Sequence, residues 1–407
     1  MATSVVVAER EVPIVDEPVS QEFVTTSAEA SDEIDSAQSA VVAAPGVPTE
    51  SGLVVEQYAL AMLGIYDSWN IEQGSPEVVV AIIDSGVDGE HRDLATRMWV
   101  NNREILNGID DDGNGFVDDI HGWDFVDDDN VPQDDAGHGT HVAGVVAARG
   151  RYDRGIAGIA DVSIMPLRVL NGEREGVDTD VIRAINYAVA NGADIINVSL
   201  GGTEPNAALA AACTYAETSG VVIVAAVGNQ ATNQTLYPAG YRTVIGVGAV
   251  DREDQAPQFS NWGLGVDVVA PGVGILSTVP NNRYGYRSGT SMATAYVAGI
   301  AALIRSAYPN MTPAQIRAAL IQTTVDVSTQ GWDSKTGYGR VDALKALTDA
   351  PFVDFSAELL PQADSNRVNV QPTNAQQVAE VPVPCGFGVL PGLALSAVGM
   401  MMVGRRG

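Results

Sequence analysis

Almost unbroken runs of apolar residues recur through the middle of the chain. They cover residues 78–83, 195–198, 221–226 and 244–247. A strand that has one face in water alternates apolar and polar residues, whereas a strand covered on both faces does not. These runs therefore predict strands of a parallel sheet with cover on both sides.

Helical patterns lie between the runs, at His141 to Ala148, Asp180 to Ala190 and Asn206 to Thr218. The repeated order of strand, helix and strand predicts an α/β fold, a three-layer mostly parallel sheet with helices on both faces. In such sheets, functional side chains gather at the carboxyl ends of the strands.

Composition divides the chain into four predicted parts. Residues 1–55 are acidic and lack hydrophobic periodicity, so we expect a disordered region that could be the remnant of a pro-segment. Residues 56–348 contain the strand and helix patterns, and residues 349–385 have the polar composition of a linker. Residues 386–407 form a separate apolar segment.

The apolar segment runs without charge from Gly386 to Val403 and ends in Arg405 and Arg406. Its length is at the lower limit for crossing a bilayer, and the arginines would hold the cytoplasmic side. A buried helix is the alternative, but a segment after a linker has little to pack against. We therefore expect a membrane anchor or a sorting tag.

The chain carries 51 acidic and 22 basic residues, a formal net charge of −29. This field repels polynucleotides, so it argues against a nucleic-acid partner. Solubility in salt, disordered tails and cation binding all remain as causes of the acidity. The two cysteines, Cys213 and Cys385, form neither a disulfide framework nor a metal motif.

Three polar side chains stand at the ends of predicted elements. Asp84 closes the first strand run, His138 opens a helix that also contains His141, and Ser291 opens another helix. Each has an ordinary alternative when taken alone: a strand-ending acid, a zinc pair or a helix cap. Together they supply a nucleophile, its base and the carboxylate that orients the base.

A fourth side chain, Asn229, follows the strand run at 221–226. An asparagine amide can donate a hydrogen bond to the oxyanion that forms during acyl transfer. The backbone N–H of Ser291 and the dipole of its helix would act on the same oxygen.

The order Asp, His, Asn, Ser, with the sequences at residues 137–144 and 289–294, resembles the subtilisin family of peptidases. The resemblance covers about residues 57–347. It implies that Asp84 orients, His138 acts as base and then acid, Ser291 attacks and Asn229 stabilises the oxyanion. The resemblance also implies that His141 has a structural role and not a catalytic one. Ala295 and Tyr296 stand where the family usually has proline and histidine.

The same resemblance implies a peptide-binding groove. One side consists of Ser199, Leu200, Gly201 and Gly202, and the other of the segment from Gly172 to Gly176. Gly228 lies beside Asn229 and is assigned to the same groove. Glycine permits close approach of a substrate backbone. An extended substrate could then pair between the two segments as an added strand. Two ordinary glycine loops are the alternative.

An acidic loop after the first strand predicts a calcium site. Oxygen ligands at alternate positions, with a glycine after the third, resemble a calcium-binding loop. The candidate ligands are Asp110, Asp112, Asn114, the carbonyl of Phe116, and Asp118. The twelfth position is His121, so the loop is not a complete EF-hand. Asp93 matches a ligand of the family's high-affinity calcium site, and a solvated acidic loop is the alternative.

These features predict an exported, calcium-stabilised, monomeric serine endopeptidase that acts on polypeptides. A catalytically silent peptide-binding surface module with the same fold is the rival from another class. A processing protease dedicated to one partner would differ from the first interpretation only in substrate range.

Overall fold

A computed structural model describes residues 57–150 and 155–353. Within these residues seven parallel strands form one sheet, in the order β2-β3-β1-β4-β5-β6-β7. The strands are β1 (Val79–Asp84), β2 (Trp123–Asp124), β3 (Ser163–Arg168), β4 (Ile195–Val198), β5 (Val222–Ala226), β6 (Val244–Val250) and β7 (Val268–Pro271). A separate antiparallel hairpin consists of β8 (Ile275–Val279) and β9 (Arg283–Arg287).

The helices of the described residues fill the connections. They are α1 (Tyr58–Met62), α2 (Ile65–Ser68), α3 (His138–Ala147), α4 (Asp178–Ala190), α5 (Ala207–Thr218), α6 (Thr290–Ala307), α7 (Pro313–Gln322) and α8 (Ala343–Asp349). Helix α5 begins where Asn206 Oδ1 accepts from the N–H groups of Ala208 and Leu209. Such side-chain caps satisfy N–H groups that the first turn of a helix leaves without intrahelical partners.

Successive residues of the central strands face opposite layers. Val80 and Ile82 belong to the core that contains α3, α6, α7 and α8, whereas Ala81 and Ile83 belong to the core that contains α4 and α5. Both faces of β1 are fully buried. The prediction of a mostly parallel, three-layer α/β fold is confirmed, and the absence of polar alternation in these strands follows from the double cover.

The predicted strand runs agree with the structure to within a residue at their starts. Sequence patterns did not reveal β3, which contains Pro166, the two-residue β2, β7, or the hairpin. Helix α3 begins at His138, as the sequence at residues 137–144 predicts and three residues before the start that helical periodicity alone gives.

Among the described residues, no helix has both the length and the apolar character needed to cross a bilayer. The acidic region at residues 1–55 and the segment at residues 386–407 lie outside the described residues. The proposed boundaries of the four parts remain predictions.

Candidate active site

The polar side chains of interest lie along one edge of the sheet. Ile83 of β1 is paired in register with Val198 of β4. Asp84, the last residue of β1, and Ser199, the residue after β4, therefore lie at the same level of neighbouring parallel strands. Strand β5 lies on the other side of β4, and Asn229 follows it by three residues.

Asp84 and His138 form a buried pair. Nδ1 of His138 lies 2.8 Å from Oδ1 and 3.0 Å from Oδ2 of Asp84, and neither side chain is exposed. The backbone N–H of Ser85 donates to Asp84 Oδ1 at 2.7 Å. A proton on Nδ1 that faces the carboxylate leaves Nε2 as the basic nitrogen of the imidazole.

Gly139 allows this pair to form, because a Cβ there would lie 2.1 Å from the carbonyl oxygen of Gly86 and 3.1 Å from Asp84 Cβ. Any larger residue would push the start of α3 away from the end of β1. The glycine after the histidine is thus explained by close backbone approach.

Ser291 is the second residue of α6, and its hydroxyl donates to the carbonyl oxygen of Ser199 at 3.1 Å. The Ser199 hydroxyl donates to the carbonyl oxygen of Ser291, also at 3.1 Å. The nucleophile candidate is thereby attached to the end of β4, while the histidine is attached to the end of the adjacent β1.

The side chain of Asn229 is held by Thr290. Asn229 Oδ1 accepts from the backbone N–H of Thr290 at 2.9 Å and from its hydroxyl at 3.0 Å. The N–H of Gly228 donates to the same hydroxyl at 3.3 Å. Because the amide is planar and its oxygen faces Thr290, its NH₂ group is directed elsewhere, as a donor for an oxyanion must be.

Thr290 was not identified from the sequence. A threonine at a helix start is ordinary, and no local pattern indicates that its partner is 61 residues away. Gly228 has φ of +108°, and a Cβ there would lie 2.4 Å from Nδ2 of Asn261. The left-handed backbone and this close approach both require glycine beside Asn229.

His141 links α3 to the hairpin. Its Nε2 donates to the carbonyl oxygens of Ile275 at 3.0 Å and Gly285 at 3.2 Å. Burial lowers the pKa of His141 well below its ordinary value, and the positive charges of Arg287 and His138 act in the same direction. His141 is therefore neutral, and its contacts fit the structural role expected for it.

The two segments assigned to the groove leave strands on either side of β1. Gly172 to Gly176 follow β3, and Ser199 to Gly202 follow β4, so they flank the strand that ends in Asp84. Gly202 and Tyr237 exchange hydrogen bonds of 2.9 and 2.8 Å. A Cβ on Gly201 would lie 2.7 Å from the Tyr237 carbonyl oxygen, so this glycine is required by internal packing.

In the acidic loop, carboxylate oxygens of Glu104, Asp110 and Asp112 lie within 4.8 Å of one another. Three closely spaced carboxylates suit a hard cation such as calcium. Glu104 was missed, because it precedes the recognisable pattern by six residues and faces the loop only after folding. Its Oε1 accepts from the N–H of Asp112 at 2.8 Å.

All the side-chain candidates of the loop have protein partners: Asp110 Oδ1 accepts from the N–H of Gly113 at 2.7 Å, and Asp112 pairs with Arg103 at 3.1 Å. Asn114 Oδ1 accepts from the N–H of Phe116 at 2.8 Å, and Asp118 Oδ1 accepts from the N–H of Asn107 at 2.8 Å. Asp93 lies elsewhere: its Oδ2 accepts from the hydroxyl of Tyr284 at 2.8 Å and from the N–H of Ile156 at 3.1 Å. The structure thus brings together Asp110 and Asp112 with Glu104, and gives Asp93 separate surroundings.

The profile of the subtilase family matches residues 75–339. The chain is 43% identical over 282 residues to the thermophilic serine proteinase of Bacillus sp. strain AK1, covering 69% of this chain and 64% of that protein. It is 39% identical over 301 residues to thermitase of Thermoactinomyces vulgaris, covering 74% of this chain and 99% of thermitase. It is also 37% identical over 299 residues to the halolysin-like extracellular serine protease Nep of Natrialba magadii, covering 73% of this chain and 52% of that protein.

The fold and these similarities define the class as serine-type endopeptidase. The chain belongs to the subtilase family. The family resemblance and the fold expected from the sequence are therefore confirmed.

Proposed function

We propose that this chain hydrolyses internal peptide bonds of polypeptides, with Ser291 as nucleophile, His138 as general base and Asp84 as the orienting carboxylate. The observation that carries the proposal is the buried hydrogen bond from His138 to Asp84, at the strand end beside the one that holds Ser291. A buried imidazole oriented by a carboxylate is suited to accept the proton of a serine.

In the first step the Ser291 oxygen attacks the carbonyl carbon, and its proton passes to Nε2 of His138. Asp84 keeps the proton of Nδ1 in place and stabilises the imidazolium, an effect that is larger because both side chains are buried. The imidazolium then protonates the leaving amine. Water then attacks the acyl carbon while His138 takes its proton, and the imidazolium returns that proton to the Ser291 oxygen as the acyl–oxygen bond breaks.

The oxyanion of each tetrahedral intermediate would accept from the side-chain NH₂ of Asn229 and the backbone N–H of Ser291. The Thr290 contacts fix the amide before the substrate arrives, so little reorganisation is needed when charge develops. The start of α6 adds the positive end of a helix dipole.

The substrate would lie extended between Ser199–Gly202 on one side and Gly172–Gly176 on the other, with Gly228 beside the oxyanion site. Leu200 is buried, so the backbone of its segment is the part that can meet a peptide. Strand-like pairing recognises the substrate through main-chain groups and favours broad specificity.

We further propose that the acidic loop binds a structural calcium ion through Glu104, Asp110 and Asp112, together with Asn114, the Phe116 carbonyl and Asp118. The ion would neutralise carboxylates that otherwise repel one another. Asp93 remains a candidate ligand of a second site.

Export is also part of the proposal, because one relative is named as an extracellular protease. We propose that the enzyme acts as a monomer, and that the segment at 386–407 contacts a membrane or serves as a sorting tag.

A fluorophosphonate or sulfonyl fluoride probe tests the central proposal. We expect covalent labelling of Ser291, located by peptide mass spectrometry, and no labelling of a folded Ser291→Ala protein. The expected loss of kcat in that variant is roughly 10⁶-fold, the size seen when a serine protease loses its nucleophile. A folded wild-type protein that takes no label would favour the silent peptide-binding module.

Substrate range is a separate measurement. A general protease should digest casein and cut many members of a peptide library, whereas a processing enzyme should cut few. Both outcomes are compatible with labelling at Ser291, so this experiment separates the two enzymatic alternatives.

A further inference from the structure

Asp134 is a buried carboxylate at the start of the helix that carries His138. Only 4% of its surface is exposed, and it lies four residues before the histidine. Its Oδ1 accepts from the backbone N–H groups of Ala136 at 3.0 Å and Gly137 at 2.7 Å. Its Oδ2 accepts from the N–H of Thr140 at 2.8 Å and from the Thr140 hydroxyl at 2.5 Å.

A fifth bond connects Asp134 to the other half of the proposed catalytic pair. The hydroxyl of Ser85 donates to Asp134 Oδ1 at 2.8 Å, and Ser85 also donates its backbone N–H to Asp84. The same hydroxyl accepts the N–H of Gly139 at 3.0 Å. Asp134 thus contacts both the helix of His138 and the neighbour of Asp84.

The direction of all five bonds is fixed. The Thr140 hydroxyl accepts from the N–H of Asp88 at 2.9 Å, and the Ser85 hydroxyl accepts from Gly139, so each has its proton left for Asp134. The other three partners are backbone N–H groups, which only donate. Every contact therefore requires Asp134 as an acceptor. Burial raises the pKa of Asp134, with the charge of Asp84 acting in the same direction, whereas the hydrogen bonds from Thr140 and Ser85 oppose the rise.

We infer that Asp134 is a positioning residue: it holds the start of α3, and with it His138, against Asp84 through Ser85. The inference rests on the proposed function, because it assigns a role in orienting the general base. Hydrogen bonds between a buried carboxylate and several donors are short and directional, so they fix a helix start more firmly than a solvated cap.

The charge of Asp134 gives this role a measurable signature. A negative charge near His138 favours the imidazolium. Without that charge, the neutral imidazole that acts as base should persist to lower pH. Helix α3 packs against β1, β3, β8 and α6, on which the ionisable side chains are Asp84, Arg168, Tyr296 and Arg305. Asp134 and Arg287 lie beside the start of the helix, and His141 lies within it. Of these, Asp134 is the one whose carboxylate accepts backbone N–H groups at the start of the helix.

The test compares kcat, KM and the pH profile of kcat/KM for the full chain and three variants, on one chromogenic peptide. In Asp134→Asn one oxygen becomes an NH₂ group facing N–H donors, and the charge is lost. We expect kcat to fall about 10- to 100-fold, with KM changed less than about threefold. The midpoint of the acid limb should move down by roughly one pH unit.

Ser85→Ala removes one hydrogen bond to Asp134 and keeps the charge of Asp134. Its kcat should therefore fall by less than that of Asp134→Asn, and the midpoint of its acid limb should stay at the wild-type pH. Asp135→Asn is the matched control, because this neighbouring carboxylate is 62% exposed and pairs with Arg168. It should leave kcat and the midpoint close to wild type.

Wild-type kcat and an unmoved midpoint in folded Asp134→Asn would overturn the inference. Should that variant fail to fold, Ser85→Ala decides, and an unchanged kcat would overturn it. Loss of labelling at Ser291 in the wild-type protein would instead remove the proposed function itself, so the two failures are distinguishable.

Discussion

Ser199 and Ser291 hydrogen-bond each other in both directions, each hydroxyl donating to the other's carbonyl oxygen at 3.1 Å. A hydroxyl carries one proton, so in the proposed mechanism Ser291 must give up its bond to Ser199 when that proton passes to His138. The bond from Ser199 to the Ser291 carbonyl is unaffected by the transfer. The backbone of Ser291, the proposed nucleophile, would therefore stay fixed on β4 while its proton moves.

Removal of the Asn229 amide should slow catalysis and leave binding nearly unchanged. An oxyanion donor acts in the transition state, so Asn229→Ala should lower kcat about 10²- to 10³-fold at similar KM. Steady-state kinetics on a chromogenic peptide give both constants. A kcat within twofold of wild type would exclude the assigned role.

Thr290 should matter because it orients that amide. Thr290→Val removes the hydroxyl that donates to Asn229 and keeps the backbone N–H, so we expect a loss of roughly tenfold in kcat. Thr290→Ser retains both donors and serves as the control. Equal kinetics of the two variants would mean that the hydroxyl does not position Asn229.

Chelation should destabilise the protein if the acidic loop holds calcium. At a concentration 100 times its dissociation constant, a bound ion adds about 2.7 kcal/mol, so the melting temperature should fall by several degrees with a chelator. Glu104→Gln should reduce this calcium dependence, whereas the exposed Glu253→Gln should retain it. Identical melts with calcium and with chelator would argue for a solvated loop.

Acid should destabilise the fold partly through His141. Its folded pKa lies well below the ordinary 6.5, so below that pH the unfolded chain binds more protons than the folded one. Stability is therefore present above about pH 6.5 and is lost as pH falls, by at most about 1.4 kcal/mol per pH unit. Glutamine cannot titrate, so the melting temperature of His141→Gln should depend less on pH between 5 and 7 than that of the wild type. The exposed His121→Gln is the control, and equal slopes for the two variants would contradict the assignment.

Two glycines of the proposed groove should respond differently to substitution. Gly201→Ala places a Cβ 2.7 Å from the Tyr237 carbonyl oxygen and 2.8 Å from Leu236 Cβ, which should cost about 1–3 kcal/mol of stability. A Cβ on Gly172 meets only Asp135 Cβ at 4.0 Å, so Gly172→Ala should melt like wild type. Thermal unfolding of both variants checks the difference, and similar melting temperatures would show that Gly201 is not held by this packing.

Sequence reasoning found most of the sheet and the four principal site candidates. The double-covered strands lack polar alternation, and each candidate follows such a run or opens a helix within a distinctive local sequence. It missed β3 because Pro166 interrupts its pattern. Helical periodicity alone began α3 three residues late, because the Asp134 contacts that hold its start lie outside that periodicity, whereas the local sequence placed His138 at the helix start correctly.

By itself the sequence determined which residues are proposed to carry the chemistry, since residue type and local context are enough to name Asp84, His138, Asn229 and Ser291 as candidates. Only the tertiary structure decided which contacts position them. Thr290 hydrogen-bonds to Asn229, Ser199 hydrogen-bonds to Ser291, and Asp134 hydrogen-bonds to the start of α3, the helix of His138. It also assigned Gly201 to internal packing and added Glu104 to the acidic loop. The physical reason is that these roles depend on distances between groups far apart along the chain, and common residues such as Thr, Ser and Glu give no local sign of a distant partner.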